Sequence, residues 1–199
     1  MHIQTNTKVL NEFIIAAKTA YLSRTQDPYL IASLNKFFAA IEETALEAEV
    51  VSGRVSACQH MDEVLANCRF LDPGLQFLMR KFEEIEPWLK WRIRHGGNDA
   101  ASDNFASNHA NAMIIGPGGL KNPGSLQLGV TLLAPNVRYP DHRHSPEETY
   151  LVISSGDFRN ELQEWVQVSE GGTFYNQHNI THAMRSSDIP LFAFWALLK

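Results

Sequence analysis

Long apolar runs and basic clusters are absent from this chain of 199 residues, and cysteines are scarce. No apolar stretch approaches the roughly 20 residues needed to cross a bilayer. Residues 1–10 carry one Lys and no long apolar core, so no signal peptide is expected. Lys and Arg number 17 against 22 Asp and Glu, giving a net charge of -5. With no Lys/Arg cluster, nucleic acid is excluded as an expected partner, because phosphate binding needs a basic surface. Two cysteines, Cys58 and Cys68, are too few for a disulfide framework and read as small buried hydrophobes. There is no internal repeat and no low-complexity segment. These absences predict a cytoplasmic protein. With 44% hydrophobic residues, the chain is long enough to bury one substantial core.

The hydrophobic period changes near the middle. Leu10, Phe13, Ile14, Ala17 and Tyr21 recur at helical spacing. Asp27-Pro28 and Asp72-Pro73 each read as an N-cap followed by Pro at the first helical position. Leu30, Leu34, Phe37, Phe38 and Ile41 follow the first of these signals, and Leu75, Leu78, Phe82, Ile85 and Leu89 the second. A short helix is expected over 61–70, with Val64, Leu65 and Cys68 inward. Pro87 should kink or shorten the last helix, and His95-Gly96-Gly97 should end it. Residues 96–110 are small, polar and aperiodic, and read as a linker or mobile loop, with a lid over a pocket as the functional option.

From Ala112 onward the period becomes two. Strands are expected at 112–115, 126–133, 149–154, 164–169, 183–186 and 191–197, separated by Gly/Pro/Asp turns such as Ser155-Gly156-Asp157. The expected fold class is therefore α+β, mainly β. A helical half (1–110, with the loop at 96–110) packs on a C-terminal β-barrel (111–199). The helices are scaffold, since their apolar stripes need a surface to cover.

Four of the eight histidines lie between positions 142 and 182. In the stretch from Tyr139 to Tyr150, alternate side chains of a strand share a face. His142 and His144 share one, Glu148 and Tyr150 share one, and Thr149, Leu151 and Ile153 point the other way. His182 arrives after a turn. Two imidazoles, a carboxylate and a further donor form a normal set of ligands for Zn²⁺, Fe²⁺ or Mn²⁺. A phenol is a rarer ligand, and metal charge lowers its pKa toward that of a usable base. Glu147, off the even face, reads as solvated.

The stretch His142-x-His144-x3-Glu148-x7-Gly156, with Gly171-x5-Gln177-x-Asn179-x2-His182 further on, resembles the two motifs of the cupin superfamily. Asn136 stands where the first motif has its leading Gly. Asn179 stands where the second has a Gly, and can take the left-handed turn. The narrower pattern Tyr139-Pro-x-His142-x-His144-x3-Glu148-x-Tyr150, then Trp165, His182-x-x-Arg185-Ser186 and Trp195, is similar to the cupin-type dimethylsulfoniopropionate (DMSP) lyases, in particular the DddQ type.

That resemblance implies a double-stranded β-helix barrel behind a helical half. It implies a divalent transition metal (Zn, Fe or Mn) held by the positions matching His144, Glu148, Tyr150 and His182. Tyr150 would be the catalytic base, Tyr139 would line the substrate site, and His142 would be a further active-site histidine of open coordination. It implies a small-molecule substrate, DMSP or a relative, and allows a homodimer. The sulfonium end of DMSP suits an aromatic face, for which Tyr139, Trp165, Phe174, Tyr175, Phe194 and Trp195 are candidates. Arg185 reads as a structural ion pair, His178 as loop surface, and His109 as structural unless the loop is a lid. The rival readings are another metal-dependent cupin enzyme, a dioxygenase or isomerase, and a non-catalytic small-molecule-binding cupin.

Overall fold

The computed structural model describes residues 2–46, 51–68, 71–96 and 100–198. Four helices come first: α1 (His2–Leu22), α2 (Pro28–Glu42), α3 (Met61–Asn67) and α4 (Pro73–Ile85). Both Asp-Pro signals act as read. Asp27 Oδ1 accepts from the N–H groups of Tyr29 and Leu30, and Asp72 Oδ1 from those of Gly74 and Leu75. Each cap satisfies helix-end donors that otherwise lack partners, a contribution of about 1 kcal/mol.

The last helix stops earlier than expected. A helical residue is disfavoured before proline, so α4 ends at Ile85 and the chain tightens into a 3₁₀ turn, Glu86–Trp88, with Pro87 inside it. It does not continue to His95. Instead a two-residue strand, β1 (Trp91–Arg92), joins the edge of a sheet. Glu86 anchors this departure. Its buried carboxylate takes two hydrogen bonds from Arg54 and one, at 2.8 Å, from the Trp91 indole N–H.

The remaining strands are β2 (His109–Ile115), β3 (Gln127–Leu133), β4 (Glu147–Ser154), β5 (Gly156–Asn160), β6 (Gln163–Val168), β7 (Thr173–Asn176), β8 (His182–Arg185) and β9 (Leu191–Leu198). They form two antiparallel sheets, ordered β1-β2-β3-β9-β4-β7 and β6-β5-β8. Strand β2 runs through position 110, and β1 lies before it, so the sheet takes residues from both expected segments. The stretch 96–110 is not uniformly a loop. Phe105–Ser107 forms a 3₁₀ turn, and β2 begins at His109; residues 97–99 lie outside the described residues.

The helices cover the outer face of the six-stranded sheet. Phe13 and Phe82 of the helices meet Phe194 of β9 at ring distances of 5.8 and 5.3 Å. Leu128, Val130, Leu132, Leu151 and Ile153 belong to this same apolar cluster. Leu133, Tyr150, Val152, Phe158, Met184 and Ala193 form a second cluster inside the barrel. The central strands are thus buried on both faces, which is why β9 reads as an almost unbroken apolar run. Each large side chain so buried contributes about 1.5–3 kcal/mol. Among the described residues, no helix is long and apolar enough to cross a membrane.

Two glycines are required by close approach. A Cβ at Gly156, where β5 begins, would overlap Leu191, and one at Gly129 in β3 would overlap the indole of Trp195 on β9. The two asparagines at motif glycine positions take positive φ, 57° at Asn136 and 59° at Asn179.

Candidate active site and metal centre

The strand order brings the two motif segments face to face. His142 and His182 form an antiparallel bridge through paired backbone hydrogen bonds of 3.1 and 2.9 Å. Their rings lie 4.1 Å apart, and His144 is 5.0 Å from His182. One ring nitrogen from each of His142, His144 and His182 falls within a common 4.8 Å cluster.

The three imidazoles share one local device. Each Nδ1 contacts the carbonyl of a residue two positions away: His142 that of Pro140, His144 that of Pro146, and His182 that of Ile180, at 2.9–3.0 Å. A carbonyl only accepts, so each Nδ1 carries a proton and donates it, and each Nε2 is turned toward the cluster. The Nε2 atoms of His144 and His182 are buried without a hydrogen-bond partner. Yet Glu148 Oε2 lies 3.4 and 3.0 Å from them. Two unpartnered ring nitrogens closing on one carboxylate oxygen suit a shared cation, and the N,O donor set suits a divalent transition metal.

The electrostatics follow from burial and these neighbours. Burial disfavours the Glu148 charge, but His144 and His182 outweigh it and hold the carboxyl well below the usual carboxylate range. Asn176 adds a hydrogen bond to Glu148 at 3.4 Å. Burial, and then His182, pushes the His142 imidazole down to about 4. Burial lowers the His144 pKa, and the Glu148 contact overcomes this, so the net direction is up. Burial and the Glu148 charge hold the Tyr150 phenol far above its ordinary value. Tyr139 is likewise raised by burial, opposed by Arg94 and Asn111.

All six singled-out residues reach this place. Tyr139, His142, His144, Glu148 and Tyr150 line one cavity of about 140 Å³, and His182 abuts His142, His144 and Glu148. The aromatic candidates divide. Trp195 joins Tyr139 on the cavity wall, and Phe174 packs on Phe158 in the barrel interior. Three expectations are corrected. Phe194 points to the helices, because its strand parity is opposite to that of Trp195. Trp165 lies among Arg138, Arg159 and Arg185, the last at 4.4 Å. Tyr175 packs against the helix-side cluster, near Glu147. Glu147 itself is not simply solvated, since it accepts from the Tyr29 hydroxyl at 2.8 Å. Arg185 pairs with Asp157, and His178 is exposed.

Sequence reasoning missed three polar wall residues, Arg94, Asn111 and Thr131. Asn111 donates to the Tyr139 hydroxyl at 3.2 Å and accepts from the Thr131 hydroxyl. A polar side chain on the inward parity of an apolar strand was the available signal. Behind Tyr139, Phe105 is fully buried, stacked on His109 at 3.8 Å and edge-on to Tyr139 at 5.0 Å. His109 is structural: Nδ1 donates to the Phe105 carbonyl, and Nε2 accepts from the Arg94 N–H, both at 2.6 Å.

A family model of the dimethylsulfoniopropionate lyases matches residues 31–193. The chain belongs to the DMSP lyase family. A curated family relative, the DMSP lyase DddQ of Ruegeria pomeroyi, is 28% identical over 105 residues, which is 52% of this chain and 52% of the relative. The match therefore spans about half the length of that relative. Two solved structures share the fold at 18% identity. A chain from the crystal structures of the DMSP lyases RdDddP and RnDddQII has a TM-score of 0.75, over 97% of this chain and 93% of that one. The structure of DddQ from R. pomeroyi has a TM-score of 0.72, over 96% and 92%. The fold class expected from the sequence, α+β and mainly β with a helical half on a C-terminal barrel, is the one the structure has, and these two solved structures share that fold.

Proposed function

We propose that this chain is a metal-dependent DMSP lyase, cleaving DMSP to dimethyl sulfide and acrylate. The observation that carries the reading is the placement of a buried phenol, Tyr150, beside Glu148 in the cavity onto which three histidines turn their Nε2 atoms. A ligating phenol is foreign to the generic cupin donor set, and an elimination needs a base and no acid.

His144, Glu148 and His182 would hold the metal, with Tyr150 at or near coordination distance and His142 beside them. Nitrogen and oxygen donors without a thiolate suit Zn²⁺, Fe²⁺ or Mn²⁺. A bound metal supplies positive charge that lowers the phenol pKa and stabilises the negative charge building on the substrate carboxylate. Tyr150, in the phenolate form that this charge would favour, takes the proton from the carbon next to that carboxylate. The C–H electron pair becomes the new C=C bond, the C–S bond breaks, and its pair leaves on sulfur as neutral dimethyl sulfide. Tyr139, fixed by Asn111, positions the substrate. The indole face of Trp195 offers a surface for the sulfonium, a soft cation that donates no strong hydrogen bond.

The test is headspace detection of dimethyl sulfide from purified, metal-loaded protein given DMSP, with acrylate measured in the solution. Equimolar release of the two products is expected. Absence of both from metal-replete, folded protein would sink the lyase reading in favour of another cupin reaction.

A further inference from the structure

We propose that Arg94 is a carboxylate-binding residue of this cavity, and that it decides which end of a dipolar substrate faces which wall. The side chain lines the cavity together with Asn111, Tyr139, His142 and Glu148. Its guanidinium carbon lies 5.8 Å from the centre of the Tyr139 ring. Its Nε is buried and has no hydrogen-bond partner. Among the described residues, Arg24, Arg54, Arg138, Arg159 and Arg185 each pair with an Asp or Glu; Arg80, Arg92 and Arg143 have no ion pair but are exposed, whereas Arg94 has none and is half-buried. A buried donor without an acceptor is unfavourable and is normally satisfied by a ligand or water.

The charge pattern specifies the ligand. Glu148 is the acidic side chain on this cavity's wall, and His144 and His182 already face it. The Arg94 cation therefore has no anion of its own within the cavity. A guanidinium presents planar, paired donors that match a carboxylate, and charge-assisted bonds of this kind are the strong ones. The same charge repels a sulfonium, which leaves the Trp195 face for the cationic end. The Arg94 position is also fixed in advance, because its backbone N–H is held by the neutral His109 ring at 2.6 Å. The choice of DMSP as the ligand rests on the lyase reading above; the preference for a monocarboxylate does not.

Acrylate is the probe, because it carries the carboxylate and needs no turnover. Its binding to metal-loaded wild type, Arg94→Gln and Arg94→Lys is measured by calorimetry, with thermal melts confirming the fold of each. The dissociation constant should rise about tenfold or more in R94Q and by a smaller factor in R94K, which restores charge without the fork. KM for DMSP should rise more than kcat falls. Acrylate affinity within about twofold of wild type in both variants overturns the proposal, as does a wild type that binds no acrylate. Acrylate binding that depends on Arg94, in a protein that releases no dimethyl sulfide, would sink the lyase reading and leave the Arg94 assignment standing.

Discussion

The two faces of strand β4 do different work with the same backbone. Leu151 and Ile153 point outward into an apolar layer shared with α1 and α4. Tyr150 and Val152 point inward, beside Glu148 and the three histidines. One face is held mainly by apolar packing, and the other carries Glu148 and Tyr150, two buried titratable groups of the cavity. A period of two therefore separates stability from chemistry residue by residue, and substitutions on the two faces should fail in different ways.

The largest effect is expected from His144→Ala or His182→Ala. Bound metal should fall from one ion per chain to near zero and elimination to background, read by elemental analysis and headspace assay. Retention of stoichiometric metal would break the inner-face assignment. Tyr150→Phe should keep the metal while turnover drops by about 10²–10⁴-fold, the usual size of a lost general base. Tyr139→Phe should cost less. Near-normal elimination by Y150F with metal bound would move the base to Tyr139 or His142. If Tyr150 is the base, activity should rise toward alkaline pH with an apparent pKa below the roughly 10 of free tyrosine.

On the outer face, Leu151→Ala should lower stability by about 2–5 kcal/mol in a denaturant melt. Metal content and kcat per folded molecule should stay near wild type. A matching fall in kcat would mean that the two faces are coupled. The smallest effect concerns His109, whose pKa burial lowers. The folded state favours its neutral form, so this contribution is complete above the ordinary value of about 6.5 and is lost as pH falls below it. The fall in melting temperature between about pH 7 and about pH 5 should be shallower in His109→Gln than in wild type. An identical slope would remove His109 from the acid response.

The meeting of the candidate residues in one cavity was legible because they sit close together on one strand and its approach, where parity alone assigns a face, and His182 stood at motif spacing. The helices were legible from Asp-Pro caps and apolar stripes. Strand β5 was hidden because Gly156-Asp157 carries turn chemistry; its glycine is there to make room for Leu191, a contact made only in the folded chain. β7 has four residues, too few to show a period. β1 has two, and follows a helical stripe that Pro87 cuts short. Arg94 lies far from the motifs, and only the pairing of β1 with β2 brings its segment to the barrel. Phe105, a lone aromatic in a polar stretch, gave no periodic signal, yet it is the residue that fills the space behind Tyr139.

Gly129 touches no proposed ligand and carries no side chain, but the Trp195 indole lies across it, in the space a methyl group would occupy. Any larger residue there would lever the ring off its seat and change the dimensions of the cavity it borders. The dimensions of that cavity are thus governed in part from an adjacent strand, by an absence. An engineer wanting to widen or narrow the cavity would find position 129 a remote adjustment screw, one that substitutes none of the histidines, the carboxylate or the tyrosines.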